Sequence, residues 1–340
     1  MSPCALVIGG AGYIGSHMCL MLRDAGWDVA VFDNLSRGWR DAIGDLELHE
    51  GDLRRPDDLL ACLSGRQVQV IMHFAALSYV GESVVEPALY YDNNVIGSLN
   101  LLEAMRRTGH SRLVFSSTCA TYGDPVERPI TESHPQHPVN PYGRTKLAVE
   151  QALADYGAAY GMQSVSLRYF NAAGGDPAGR AGERHEPETH LIPLVLQEAL
   201  RLHRGGEPGE SKLRVFGSDF PTDDGTCVRD YIHVQDLCAA HTLAATRMLD
   251  GRVTGAEAYN LGNGQGYSVL EVVEACRRVT GFDIRYQMAP RRAGDPAWLV
   301  GSAARAQAEL GWRPQITQID QIVSTAWDWM LKFNQGTAKA

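Results

Sequence analysis

Tyr142 and Lys146 stand four residues apart in Tyr142-Gly143-Arg144-Thr145-Lys146, directly after Pro141. On a helix that spacing puts both side chains on one face, one turn apart. A free phenol has a pKa of about 10 and is a poor base near neutrality, but an adjacent ammonium or a positive ring lowers it. Alone, the pair is equally a packed tyrosine beside a solvated lysine. Its context is Ser116-Ser117-Thr118, which ends a β-rich run. A hydroxyl, a tyrosine and a lysine beside a nicotinamide make a proton relay for carbonyl–alcohol redox chemistry.

The second group of interest is Gly9-Gly10-Ala11-Gly12-Tyr13-Ile14-Gly15, placed between a strand-like run and a helix-like one. Glycines there allow a tight turn and a close backbone approach to a pyrophosphate, and the helix N-terminus offers free N–H groups. Asp33 follows eighteen residues after Gly15. A carboxylate there accepts from ribose hydroxyls and repels a 2′-phosphate, which favours NAD over NADP. Asp52 could accept from an adenine amino group or simply cap a solvated turn. Phe74-Ala75-Ala76 would let backbone lie against a cofactor, or would only pack a strand end.

These groups need elements to hold them. Ala5–Ile8, Val29–Phe32, Leu46–His49, Val68–Phe74, Leu113–Ser116 and Ser164–Arg168 read as strands, several continuously apolar, as in parallel strands buried on both faces. Tyr13–Ala25, Asp57–Leu63, Ala88–Arg107 and Pro141–Tyr160 read as helices between them. The alternation predicts a doubly wound α/β sheet of Rossmann type, with the C-terminal strand ends along one crevice. Residues 1–175 form the expected nucleotide domain, to which the chain returns near 228–250. Residues 176–340 form a smaller mixed α/β substrate domain. In it Leu213–Phe216 and Ile284–Gln287 read as strands, and Ala172–Thr189 as a loop.

The 340 residues carry 31 Lys plus Arg against 40 Asp plus Glu, a net charge of −9. Such a balance argues against sequence-independent nucleic-acid binding. The seven cysteines are scattered and form no CxxC pair, so reduced thiols are expected, with no disulfide framework and no metal site. His185 and His203 lack ligand spacing and are expected to be solvated. With no cleavable leader pattern and no long apolar run, the chain is expected to be cytoplasmic and to have no membrane partner.

Several motifs occur in order along nearly the whole chain. They include Gly9–Gly15, Asp33-Asn34, Tyr91-Asp92-Asn93-Asn94, Pro141–Lys146, Arg168-Tyr169-Phe170-Asn171, Val228-Arg229-Asp230-Tyr231-Ile232-His233 and Arg291-Arg292-Ala293-Gly294-Asp295. Together they resemble the extended short-chain dehydrogenase/reductase family, in its UDP-glucose (UDP-galactose) 4-epimerase branch. The resemblance implies inversion of C4 of a UDP-hexose by transient hydride transfer to tightly bound NAD+ and rotation of a 4-keto sugar. It implies that Tyr142 is the acid and base on O4, that Thr118 hydrogen-bonds O4, and that Lys146 binds the nicotinamide ribose. The cofactor would lie along Gly9, Gly12, Tyr13, Ile14, Gly15, Asp33, Asn34, Asp52, Leu53, Phe74, Ala75, Ala76, Asn93, Ser116 and Tyr169. The sugar nucleotide would meet Asn171, His190, Leu191, Val215 and Phe216, with Arg229 and Arg292 on its phosphates and Asp295 on its ribose. Leu299 would face the C2 substituent of the sugar, with a one-residue uncertainty that brings in Trp298.

Two positions depart from the pattern: Ser78 replaces a cofactor-contacting lysine, and His190 an asparagine. UDP-N-acetylglucosamine, UDP-xylose and UDP-glucuronate are alternative substrates for the same relay. A 4,6-dehydratase would need acids where Cys119 and Ala120 stand, and a silent NAD-binding regulator would not need Tyr142, Lys146 and Thr118. The resemblance also implies a homodimer paired through Ala88–Arg107 and Pro141–Tyr160.

Overall fold

The computed structural model describes residues 2–292 and 295–336. Ala293 and Gly294 of the Arg291–Asp295 motif lie outside the described residues, as does the end of the expected second domain. The strands in chain order are β1 (Cys4–Ile8), β2 (Asp28–Asp33), β3 (Glu47–Glu50), β4 (Val70–His73), β5 (Arg112–Thr118), β6 (Gln163–Tyr169), β7 (Asn171–Ala173), β8 (Arg214–Phe216), β9 (Val228–His233), β10 (Ala256–Leu261), β11 (Gly266–Ser268), β12 (Gln287–Ala289) and β13 (Trp298–Leu299). Seven of them form one sheet in the order β10-β6-β5-β4-β1-β2-β3. Every pair in it is parallel.

Side-chain alternation explains why helices cover both faces. Along β1, Ala5 and Val7 pack with Met18, Leu22, Leu237 and Met248 of helices Tyr13–Asp24 and Val234–Leu249. Leu6 and Ile8 point the other way, to Leu59, Leu101, Met105 and Val149 of helices Pro56–Leu63, Gly97–Thr108 and Pro141–Tyr160. A strand with both faces dry has no polar positions, hence the unbroken apolar runs. The order reverses at β1 and β4, and a crevice opens there beyond the carboxyl ends of the strands. A third core joins helices Leu191–His203, Val269–Thr280 and Ile319–Gly336. Beside it, β9 pairs with β7, β11 and β13, and β12 pairs with β8. Among the described residues no helix is long and apolar enough to cross a membrane.

Some elements differ from expectation. The helix read over Ala88–Arg107 is Pro87–Tyr90, a π-helical turn at Tyr91–Ile96, and then Gly97–Thr108. That turn swings Asn94 inward. Its Oδ1 accepts from Leu77 N–H (2.8 Å), while its Nδ2 donates to Leu77 O (2.9 Å) and to Thr145 Oγ1 (3.2 Å). The strand read at Ile284–Gln287 is displaced to Gln287–Ala289, because the Ile284 carbonyl accepts from Arg277 Nε (2.9 Å) and is lost to any ladder. Strand β10, not read from the sequence, extends the sheet beyond β6.

Helix Pro141–Tyr160 begins where Asn140 accepts from Gly143 N–H (2.9 Å), with Pro141 in the first turn. It is locked to the sheet by one buried ion pair. Arg168 of β6 meets Glu150 at 2.5 Å, and both side chains are only 8% exposed. Ser117 Oγ donates to Glu150 Oε1 (2.5 Å), Arg168 donates to Tyr122 Oη (2.9 Å), and Tyr122 donates to Asn260 Oδ1 of β10 (2.7 Å). Removing one partner of such a pair strands the other charge in a low dielectric. Glu150→Ala is therefore expected to cost about 3–5 kcal/mol of folding stability. Urea denaturation measures it, and a loss under about 1 kcal/mol, the range of an exposed pair, would contradict the network.

Candidate active site

One cleft of about 870 Å³ runs along the carboxyl edge of the sheet. Its floor is the glycine loop. A Cβ on Gly15 would sit 2.1 Å from the Gly9 carbonyl oxygen, and one on Gly9 would sit 2.5 Å from Ala75 N. Gly9 also holds φ at +78°, where only glycine is unstrained. The turn is thus packed to backbone contact, and the N-terminus of helix Tyr13–Asp24 opens onto the cleft. At the end of β2, Asp33 accepts from Ala11 N–H (2.9 Å) and Leu35 N–H (2.8 Å). Those bonds shape the loop and leave the carboxylate a free lone pair on each oxygen. Burial, against these bonds, raises its pKa.

The three residues selected from the sequence as a proton relay, Tyr142, Lys146 and Thr118, converge at the end of β5. Tyr142 and Lys146 lie buried on the inward face of their helix, and Thr118 closes the strand. Gly143 permits this approach, since a Cβ there would lie 2.4 Å from Ala120 O. Lys146 Nζ donates to Ser116 O (2.8 Å) and sits 4.8 Å from the Phe115 ring centroid. Burial pulls its pKa down to about 7. Burial, then the nearby Tyr169 hydroxyl, raises the Tyr142 phenol well above its ordinary value, and a hydrogen bond with Thr118 works in the opposite direction. The protein's own groups therefore keep the phenol protonated; the lowering that general-base work needs must come from added positive charge.

All of the sequence-selected residues line this cleft except Ser116 and Val215. Ser116 is buried behind it, its Oγ hydrogen-bonded to the Tyr169 hydroxyl at 2.6 Å and its carbonyl holding Lys146. Val215 is buried away from the cleft, whereas its neighbours on β8, Arg214 and Phe216, reach it, as strand alternation requires; Leu213, just before the strand, also lines it. Asp52 faces the cleft but is gripped by Arg54 (2.6 Å) and Asn34 (3.2 Å), and the Arg54 hydrogen bond holds its carboxyl far below the usual range. At the other end, Arg292 stacks on Phe216 (4.2 Å) and Arg229 approaches Asp295 (3.4 Å), so two guanidiniums border one wall. Asn171 Nδ2 is anchored on Asp230 O (3.3 Å). Leu299 lines the cleft, and Trp298 lies beneath Arg128 instead.

His185 corrects the sequence reading. It is not solvated but lines the cleft with Glu183, and it packs edge-on to Tyr13 and Tyr79. Burial works against its charge, yet Glu183 and Glu188 push its pKa up to about 9; the same two carboxylates push His190 up to about 10. Tyr79, Arg37 and Glu82 were also missed. Arg37 pairs with Glu82 (2.9 Å) over the Tyr79 ring (5.1 Å) on the cleft rim. No short motif contains these three, because they meet only when the loops after β2 and β4 fold together.

The family model for the NAD dependent epimerase/dehydratase family matches residues 5–262. The chain belongs to this family. A UDP-glucose 4-epimerase of Halalkalibacterium halodurans is 50% identical over 324 residues, covering 95% of this chain and 94% of that protein. Crystal structures of UDP-glucose 4-epimerases are similar throughout. The one from Brucella ovis in complex with NAD has a TM-score of 0.90 at 45% identity, covering 96% of this chain and 98% of that one. The one from Bifidobacterium longum in complex with NAD+ and UDP has a TM-score of 0.90 at 37% identity, covering 98% and 99%. The glycine cradle, Asp33 and the buried Lys146 fit NAD as the family's cofactor.

Proposed function

We propose that the chain is an NAD-dependent UDP-hexose 4-epimerase, an isomerase whose best pair is UDP-glucose and UDP-galactose. The observation that carries this reading is that one cleft is lined together by the glycine cradle, by Tyr142, Lys146 and Thr118, and by Arg229 and Arg292. Bound NAD+ supplies a reversible hydride acceptor. Tyr142 takes the proton from O4 and later returns it. Thr118 Oγ1 holds O4 in line with that phenol. Lys146, fixed on Ser116 O, holds the nicotinamide ribose, and the positive charge of the oxidised cofactor seated there opposes the effect of burial on Tyr142. Arg229 and Arg292 grip the diphosphate bidentately, with Asn171, His190 and Leu191 beside it and Phe216 and Asp295 around the nucleoside. Anchored by that end, the sugar can turn and offer either face of C4 to Tyr142. Cys119 and Ala120 beside Thr118 supply no acid, which disfavours elimination across C5 and C6. Burial pushes the Cys119 thiol up to about 12.

We further propose a homodimer. Leu89, Tyr91, Ile96 and Leu99 are large apolar side chains left exposed within the segment Pro87–Thr108. Light scattering should give about twice the 37.2 kDa chain mass, and a monomer at working concentration would refute the pairing.

Tyr142→Phe is expected to lower kcat by at least about a hundredfold while NAD and UDP still bind, because only the hydroxyl transfers a proton. Turnover within tenfold of the wild type would remove Tyr142 from the mechanism.

Leu299 on the cleft wall sets the room at C2. A hydrophobic wall discriminates by only about 1–3 kcal/mol per misfit group, so UDP-N-acetylglucosamine should turn over measurably but more slowly. Leu299→Tyr should shift the kcat/KM ratio further toward UDP-glucose. An unchanged ratio would show that this side chain does not meet the sugar.

A further inference from the structure

The segment between β7 and helix Leu191–His203 crosses the cleft as a strap. It is tied to the nucleotide domain by Arg37 donating to Glu186 O (3.0 Å), Trp39 Nε1 donating to Arg184 O (3.2 Å) and Arg180 pairing with Asp24 (2.8 Å). Within it, Glu183, His185, Glu188 and His190 bring one ligand-type atom each to within 4.8 Å of one another. His190 Nδ1 lies 3.0 Å from Glu183 Oε1 and 2.9 Å from Glu188 Oε1. His185 Nδ1 lies 3.3 Å from Glu183 Oε1 and 3.5 Å from Glu188 Oε2. It is buried and makes no hydrogen bond.

We propose that these four side chains form a binding site for a divalent transition-metal cation of the zinc type. Zinc takes nitrogen and oxygen ligands at about 2.0–2.2 Å, and a tetrahedron with such arms has edges of about 3.4 Å. Four of the six separations are 2.9–3.5 Å and bracket that value, and none of the six exceeds 4.8 Å. Glu188 turns a different oxygen to each histidine, so rotation of its carboxylate and a modest closure complete the shell. Two imidazoles select zinc or a neighbouring transition metal over calcium and magnesium, which prefer six or more oxygens. The ion would displace the protons that the two carboxylates hold on His185 and His190, after which two carboxylates and two neutral imidazoles are balanced by its double charge. Glu188 is pre-oriented, its Oε1 accepting from Thr189 N–H (2.7 Å) and His190 N–H (2.8 Å). Backbone contacts of this kind fix a ligand before the ion arrives. Four protein ligands close the coordination sphere, so the ion is structural. It holds the strap in its curve between Tyr13 and Tyr79, whose rings flank His185 at 6.1 Å. The site is independent of which sugar the cleft accepts.

The test uses the full chain, stripped with a chelator, freed of it, and titrated calorimetrically with zinc chloride. One equivalent of zinc per chain and a rise in Tm are expected. Cobalt(II) in its place should give the strong visible bands of four-coordinate geometry without a thiolate charge-transfer band. His185→Gln and Glu188→Gln should each weaken uptake by at least about tenfold, by analogy with the loss of groups that support a metal ligand. His203→Gln, at an exposed position outside the cluster, should not. Should His185→Gln fail to fold, Glu188→Gln and the cobalt spectrum still decide. Absence of stoichiometric uptake by the wild type overturns the proposal. So does uptake unchanged by either variant, or a thiolate band assigning the ion to cysteine.

Discussion

The Arg168 guanidinium is buried on β6, where water cannot solvate it, and Glu150 is its partner. Everything catalytic hangs on how that charge is neutralised. Glu150 lies one helical turn beyond Lys146 and two beyond Tyr142, so fixing it on Arg168 sets the rotation of their helix against the sheet. Ser117 and Tyr122 complete the bonding, and Tyr122 passes the constraint to Asn260 on β10. A purely apolar contact could pack this helix at several rotations. A buried pair with directional bonds allows one, at the expense of strong sensitivity to losing either charge.

That rotation creates the electrical conflict on which the chemistry depends. Burial raises the Tyr142 phenol and lowers Lys146, opposite to what a resting base requires. The site therefore does not present a standing phenolate. It presents a buried phenol, and in the proposed mechanism its ionisation awaits the positive charge of an oxidised cofactor. His73 is buried at the end of β4, and burial, then Lys146, pulls it down to about 3, so it adds no charge of its own beside Lys146.

The two poles of the cleft are built by different means. The cofactor pole is backbone, made from a glycine turn so tight that neither Gly9, against Ala75, nor Gly15, against Gly9, admits a Cβ. The opposite pole is side chain, made from guanidiniums carried on β9 and on the segment before β13. Asp230 between them is fully buried, accepting N–H groups from Asn263 (2.8 Å), Gly264 (3.1 Å) and Gly301 (3.3 Å), and its burial raises its pKa to about 7. It ties two segments, the turn at Asn263 and Gly264 and the chain at Gly301, to β9 next to Arg229, which gives this buried acid a structural role.

What the sequence determined was local. Chemistry that depends on neighbours within a turn of helix or at a strand end was legible: the Gly9–Gly15 turn, Asp33 at the end of β2, the Tyr142–Lys146 pair and the apolar runs of the parallel sheet. Periodicity also placed most strands to within a residue or two. It could not show that β10 would join β6, because Ala256–Leu261 has mixed composition and gains its place from a partner nearly a hundred residues away. It could not show that Asn94 turns inward, since a π-helical turn leaves no periodic trace. Nor could it separate Val215 from Phe216, or Leu299 from Trp298, because in a two- or three-residue strand the facing is set by the pairing and not by the pattern. The histidines show the limit most clearly. Glu183, His185, Glu188 and His190 are close in sequence, yet only the curvature of the strap, imposed by Arg37, Trp39 and Asp24 from outside it, turns four side chains toward one point.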